Sequence, residues 1–167
     1  MGLSNEEKER SREKVVVMEK KIIVNSLTET AALAKQIAHH LPRPALITMS
    51  GDLGAGKTTF TKALAKELGI EETITSPTFT ILKSYEAKDV TLHHIDAYRL
   101  EGIVQDLGFE EIFDEENSIC VVEWFDYIDY VLPKERLHIA IVLDGETRIF
   151  TIAAVGEAYE KLLEEWE

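Results

Sequence analysis

The chain has 167 residues, 45% of them apolar and 29% charged, with a formal charge of −13. That length suits one domain able to bury about 70% of the surface its unfolded chain exposes, and the composition excludes disordered and collagen-like classes. The acidic balance argues against a face built to coat a nucleic acid backbone, which would be basic.

Residues 1–14 are a dense mixture of charges without hydrophobic period, as in Glu6 to Lys14, and read as a frayed or disordered leader to a single domain over residues 15–167. The first residues carry no apolar segment of a secretory signal, and the longest apolar runs are strand-sized, far short of the roughly 20 residues that span a bilayer. A cytoplasmic protein with no membrane contact is expected. Val15–Val17 and Ile22–Val24 suggest an extended segment interrupted by Glu19, Lys20 and Lys21. Ser26 and Glu29 then form a capping box for a helix running to about His40, which Pro42 and Pro44 close.

Ala45–Met49 is a short apolar run that stops at Ser50-Gly51, and Lys57–Leu68 reads as a helix with Gly69 just beyond its end. Between them Gly51-Asp52-Leu53-Gly54-Ala55-Gly56-Lys57-Thr58 fits G-x-x-x-x-G-K-[ST] at every fixed position. The glycines let backbone amides turn around phosphate oxygens, and the helix start places its positive dipole end on the same anion. Lys57 would reach the β- and γ-phosphates, the Thr58 hydroxyl would be a magnesium ligand, and Thr59 is a second phosphate donor.

Further strands are expected at Thr80–Tyr85, Val90–Ile95 and Ile119–Glu123, a helix over Leu100–Phe113, and a hairpin about Asp144-Gly145 joining Leu137–Leu143 to Arg148–Ala153. A last helix covers Gly156–Trp166. The pattern predicts an α/β fold of P-loop NTPase type: a mostly parallel sheet flanked by helices, with an antiparallel hairpin at the C-terminal end. The only cysteine, Cys120, lies within an apolar strand, which excludes an internal disulfide and predicts a buried, inert thiol.

A magnesium site needs a carboxylate at a neighbouring strand end, and Asp96 and Glu123 both qualify. One can hold the metal or its water while the other orients the attacking water. Ser76-Pro77-Thr78-Phe79-Thr80 is compatible with a γ-phosphate-sensing loop, through Ser76 and Thr78, and equally with a proline turn that buries Phe79. No N-K-x-D sequence reads guanine, and Asp96-Ala97-Tyr98-Arg99 departs from D-x-x-G, so adenine is preferred. The six arginines form no cluster of the kind that closes a kinase lid.

Four segments in register, Gly51 to Phe60, Ser76 to Thr80, His94-Ile95-Asp96-Ala97-Tyr98-Arg99-Leu100 and Val122-Glu123-Trp124, resemble the bacterial TsaE (YjeE) family over about residues 22–165. The resemblance implies a magnesium-dependent ATPase that acts with a TsaB–TsaD heterodimer in forming N6-threonylcarbamoyladenosine on tRNAs reading ANN codons, hydrolysis resetting the complex between turnovers. It implies Glu123 as the second magnesium ligand, Asp96 as the residue assisting hydrolysis and Ser76 to Thr80 as a switch-like loop. Trp124 matches a family tryptophan near the site, though a core aromatic would fit the same position. Ser26, within Asn25 to Thr28, falls where the family contacts adenine. For His94 the expectation is a structural hydrogen bond. Two other functions fit the same loop: a kinase acting on a small molecule or a protein, and a nucleotide-gated binding module.

Overall fold

The computed structural model describes residues 18–52, 54–75, 77, 81–102 and 108–166, so the expected leader and Val15–Val17 lie outside the described residues. The elements are β1 (Met18–Val24), α1 (Leu27–His40), β2 (Ala45–Gly51), α2 (Lys57–Glu67), β3 (Leu82–Glu86), β4 (Thr91–Asp96), α3 (Phe109–Phe113), β5 (Ser118–Glu123), β6 (Arg136–Asp144), β7 (Thr147–Val155) and α4 (Glu157–Glu164). Two 3-10 segments, Tyr98–Leu100 and Phe125–Val131, follow β4 and β5.

Local chemistry sets several boundaries. Ser26 Oγ accepts the Glu29 amide at 3.1 Å, and the Glu29 carboxylate reaches back to the amide of Asn25, one residue before the N-cap, where a capping box would take the Ser26 amide. Gly69, at φ +85°, ends α2 by donating to the Lys66 carbonyl while Ile70 donates to Ala65. That pair of bonds is the Schellman closure, and it needs a residue without a Cβ at the left-handed position. The β6–β7 hairpin turns through Gly145 and Glu146, with Gly145 at φ +64° and Asp144 paired to Thr147.

The seven strands form one sheet in the order β1-β7-β6-β2-β5-β4-β3. β2 pairs in parallel with β5 and β6, and β4 in parallel with β5, whereas β1–β7, β6–β7 and β3–β4 are antiparallel. The sheet is therefore mixed, not mostly parallel. Four residues separate Glu86 from Thr91, with the Ala87 amide bonded to Val90, and a parallel crossover needs a dozen or more. β1 runs unbroken through Glu19, Lys20 and Lys21, because an edge strand exposes alternate side chains and Lys20 lays its stem along Trp166. The single helix expected over Leu100–Phe113 is interrupted: among the described residues of that stretch, helix is found at Leu100, which ends the 3-10 segment, and at Phe109–Phe113, and Gly102 at φ +74° and Gly108 at φ +75° leave helical backbone between them.

Period-two alternation divides the core between the two faces of the sheet. Ala45, Ile47 and Met49 of β2 and Ile119 and Val121 of β5 join Leu33, Ile37, Phe60, Leu64 and Leu162 beneath α1, α2 and α4. Leu46, Cys120 and Val122 meet Phe109, Phe113, Ile128 and Leu132 on the other face. Each fully buried Leu, Ile, Val, Phe or Met among them contributes about 1.5–3 kcal/mol. Burial, and then the Glu115 charge, push the Cys120 thiol up to about 12, which leaves it protonated and inert. Tyr159 also packs, its hydroxyl accepting the Leu46 amide at 2.9 Å. Among the described residues no helix is long and apolar enough to cross a membrane.

Candidate active site

The parallel register sets the carboxyl ends of β2, β5 and β4 side by side: Met49 is opposite Glu123, and Glu123 is opposite Asp96. Open α/β sheets bind their ligands at such strand ends. A cavity of about 210 Å³ opens there, lined by Gly54, Gly56, Lys57, Thr58, Thr59, Asp96, Glu123 and Trp124. A larger cavity of about 490 Å³ lies along β1 and α1, but its mostly apolar lining has neither a glycine loop nor converging carboxylates.

The loop is shaped by its glycines. A Cβ on Gly51 would come within 2.8 Å of the Ile141 carbonyl oxygen, and Gly56 sits at φ +118° with Arg148 3.1 Å from where its Cβ would be. Gly56 caps α2, whose first bond is Phe60 N–H to the Gly56 carbonyl at 2.9 Å. The amides of Gly56, Lys57, Thr58 and Thr59 consequently have no partner within the helix and form a positive end beside the cavity. The Ala55 amide is instead held by the Asp52 carbonyl at 3.0 Å.

Lys57 Nζ lies 3.4 Å from Glu123 Oε1, and His94 Nε2 lies 2.8 Å from Glu123 Oε2. Burial pushes the Glu123 carboxyl up, but the His94 hydrogen bond and the charges of His94 and Lys57 outweigh it and hold the group below its ordinary value. Glu123 is ionised at neutral pH. Asp96 Oδ1 accepts the Tyr98 amide at 3.0 Å, which braces the turn after β4.

Trp124 is 44% exposed and lines the cavity, so it is not a core aromatic. Its backbone sits at φ +57°, a conformation costing a non-glycine residue about 1–2 kcal/mol. Tyr127 stacks on its ring at 5.9 Å with 4° between planes, Tyr98 packs at 5.0 Å, and Lys57 Nζ lies 5.8 Å from the ring centre.

Lys57, Thr58, Asp96, Glu123 and Trp124 thus share one cavity with the glycine loop. Leu53, Ser76 and Thr78 lie outside the described residues. Ser26 is not among the residues lining that cavity, and its hydroxyl oxygen accepts the Glu29 amide; two residues before it, Val24 pairs with Arg148, which reaches the loop. Two groups escaped the sequence. Arg148 Nε donates to the Ala55 carbonyl at 2.9 Å across 93 positions, a contact no local signal announces. His138 links Thr48 (2.8 Å) and Ser50 (3.2 Å) beneath the loop; burial, and then Arg136, push its pKa down.

The hydroxyl of Thr58 and the carboxylates of Asp96 and Glu123 are hard oxygen donors, and the glycine cradle leaves space that side chains would fill. This donor set suits magnesium, which takes one or two carboxylates and completes its shell with water and phosphate. No cluster of three or more His, Cys, Asp or Glu residues occurs among the described residues, so an all-protein metal cage is not formed.

The family model "Threonylcarbamoyl adenosine biosynthesis protein TsaE" matches residues 24–150. The chain belongs to the TsaE family. A tRNA threonylcarbamoyladenosine biosynthesis protein TsaE of Bacillus subtilis is 47% identical over 138 residues, 82% of this chain and 87% of that one. A TsaE protein of Treponema pallidum is 37% identical over 134 residues, 78% of this chain and 98% of its own. The crystal structure of Bacillus subtilis YdiB superposes with a TM-score of 0.76 at 40% identity, covering 90% of this chain and 95% of that one. The mixed α/β sheet with flanking helices is thus shared with that structure.

Proposed function

We propose that this chain is a magnesium-dependent ATPase of P-loop type that acts with TsaB–TsaD in tRNA threonylcarbamoylation, hydrolysis resetting that complex. The observation that carries the reading is the convergence of Lys57, Thr58, Asp96 and Glu123 on one cavity beside the Gly51–Gly56 loop. Family membership supplies the pathway, and the −13 charge agrees with a protein that works through protein partners and has no broad tRNA-binding surface.

On this reading the free amides at the start of α2 receive the β- and γ-phosphates, and Lys57 leaves Glu123 to bind them as well. Thr58 and Glu123 would hold magnesium, which when bound supplies positive charge to the terminal phosphates. Losing the lysine partner frees a Glu123 oxygen, while His94 keeps hold of the other. Asp96 orients the attacking water and accepts its proton. Trp124 closes the cavity on its exposed side, Ser76 and Thr78 contribute hydroxyls to the γ-phosphate end, and the segment at Ser26 borders the adenine.

The competing kinase chemistry would use the same loop and differs in where the phosphoryl group goes. Incubation with γ-labelled ATP, magnesium and TsaB–TsaD is expected to release the label as free phosphate. Label accumulating on a protein or small-molecule acceptor would overturn the ATPase assignment.

A further inference from the structure

Arg148 reaches the loop from β7, far away in sequence, and its contacts there are specific. Its Nε donates to the Ala55 carbonyl at 2.9 Å, and its Cδ and Nε lie 3.1 Å from the position of a Cβ on Gly56. The side chain therefore occupies the space left by that glycine. In a trans peptide the carbonyl of one residue and the N–H of the next point in opposite directions. An Ala55 carbonyl drawn toward Arg148 directs the Gly56 N–H the other way, and Gly56 lines the cavity that also holds Lys57 and Thr58. Glycine at φ +118° has no Cβ to resist rotation of this peptide, so its direction has to be set from outside.

We propose that Arg148 is a positioning residue that fixes the Ala55–Gly56 peptide with its N–H toward the bound phosphates. The role rests on the phosphate-binding reading of the loop and adds to it a residue outside the glycine motif. The role assigned is that of the hydrogen bond donated by Nε, not of the long-range charge of the guanidinium. Val24 pairs with Arg148 in the sheet, so the β1–β7 edge holds the arginine in place.

The test compares Arg148→Gln with Arg148→Met. Glutamine places an N–H donor at the same distance along the side chain as Nε, without charge, whereas methionine keeps the length and loses the donor. Titration calorimetry with ATP, with inorganic tripolyphosphate and with adenosine separates phosphate binding from base binding, and urea unfolding of the nucleotide-free proteins checks their stability. Arg148→Met is expected to weaken ATP and tripolyphosphate by the same factor, about tenfold or more, with adenosine unchanged, while Arg148→Gln stays close to wild type. Equal losses in both variants would show that charge is what matters and would overturn the assignment, as would a loss confined to adenosine. Wild-type protein that binds neither ATP nor tripolyphosphate would overturn the phosphate reading itself and the role of Arg148 with it.

Discussion

Asp96→Asn is expected to lower kcat for ATP hydrolysis by about 10²–10⁴-fold, the range general base groups supply, and to leave the affinity for ATP nearly unchanged. Asp96 is the last residue of β4, lines the cavity, and stands beside Glu123 in the parallel register. Asparagine keeps a carbonyl oxygen that can accept the Tyr98 amide, now bound to Oδ1 at 3.0 Å, so the turn keeps its brace. What it removes is the negative charge that takes up a proton. Single-turnover hydrolysis beside equilibrium binding separates the two quantities. A variant that hydrolyses at the wild-type rate would remove Asp96 from the chemistry.

Lys57→Ala should act on binding. A charge-assisted hydrogen bond contributes about 1.5–3 kcal/mol, so losing the ammonium from two phosphates weakens ATP by about a hundredfold or more. A second consequence follows from the nucleotide-free state. Lys57 is a partner of Glu123, whose side chain is 8% exposed, and its removal leaves that buried carboxylate with His94 alone. The variant is therefore expected to lose stability as well. Adding Glu123→Gln should restore stability without restoring affinity, since the buried charge is removed while the phosphate donor remains absent. If the double variant regained ATP binding, the weak binding of Lys57→Ala would have come from misfolding.

The parts of the fold legible in the sequence are those with a local cause. Ser26 with Glu29, Gly69 after α2, and Asp144-Gly145 in the hairpin each act through bonds within a few residues, and each element ends where those residues place it. The candidate residues Lys57, Asp96 and Glu123 have places in the fold that were legible for a related reason, since Lys57 opens α2 directly after the glycine loop and Asp96 and Glu123 stand where the apolar runs of β4 and β5 stop. Strand direction was not legible, because β3 and β4 look alike in composition whichever way they pair, and only the short Ala87–Val90 connection imposes the antiparallel choice. The helix expected over Leu100–Phe113 failed because its apolar spacing outweighed Gly102 and Gly108, both of which adopt left-handed backbone. Arg148 and His138 meet the loop only through sheet pairing of distant strands, which no short-range pattern encodes.

The resetting role proposed for this chain shows itself in the number of turnovers of tRNA modification. TsaB–TsaD, a threonylcarbamoyl donor, ATP and unmodified tRNA in excess over enzyme are combined with and without this protein, and N6-threonylcarbamoyladenosine is counted per TsaD. Product well beyond one equivalent is expected only when the wild-type chain is present, and about one equivalent with Lys57→Ala or Asp96→Asn. Repeated turnover that is indifferent to this chain, or undiminished by those substitutions while ATP still binds the wild type, would contradict that role.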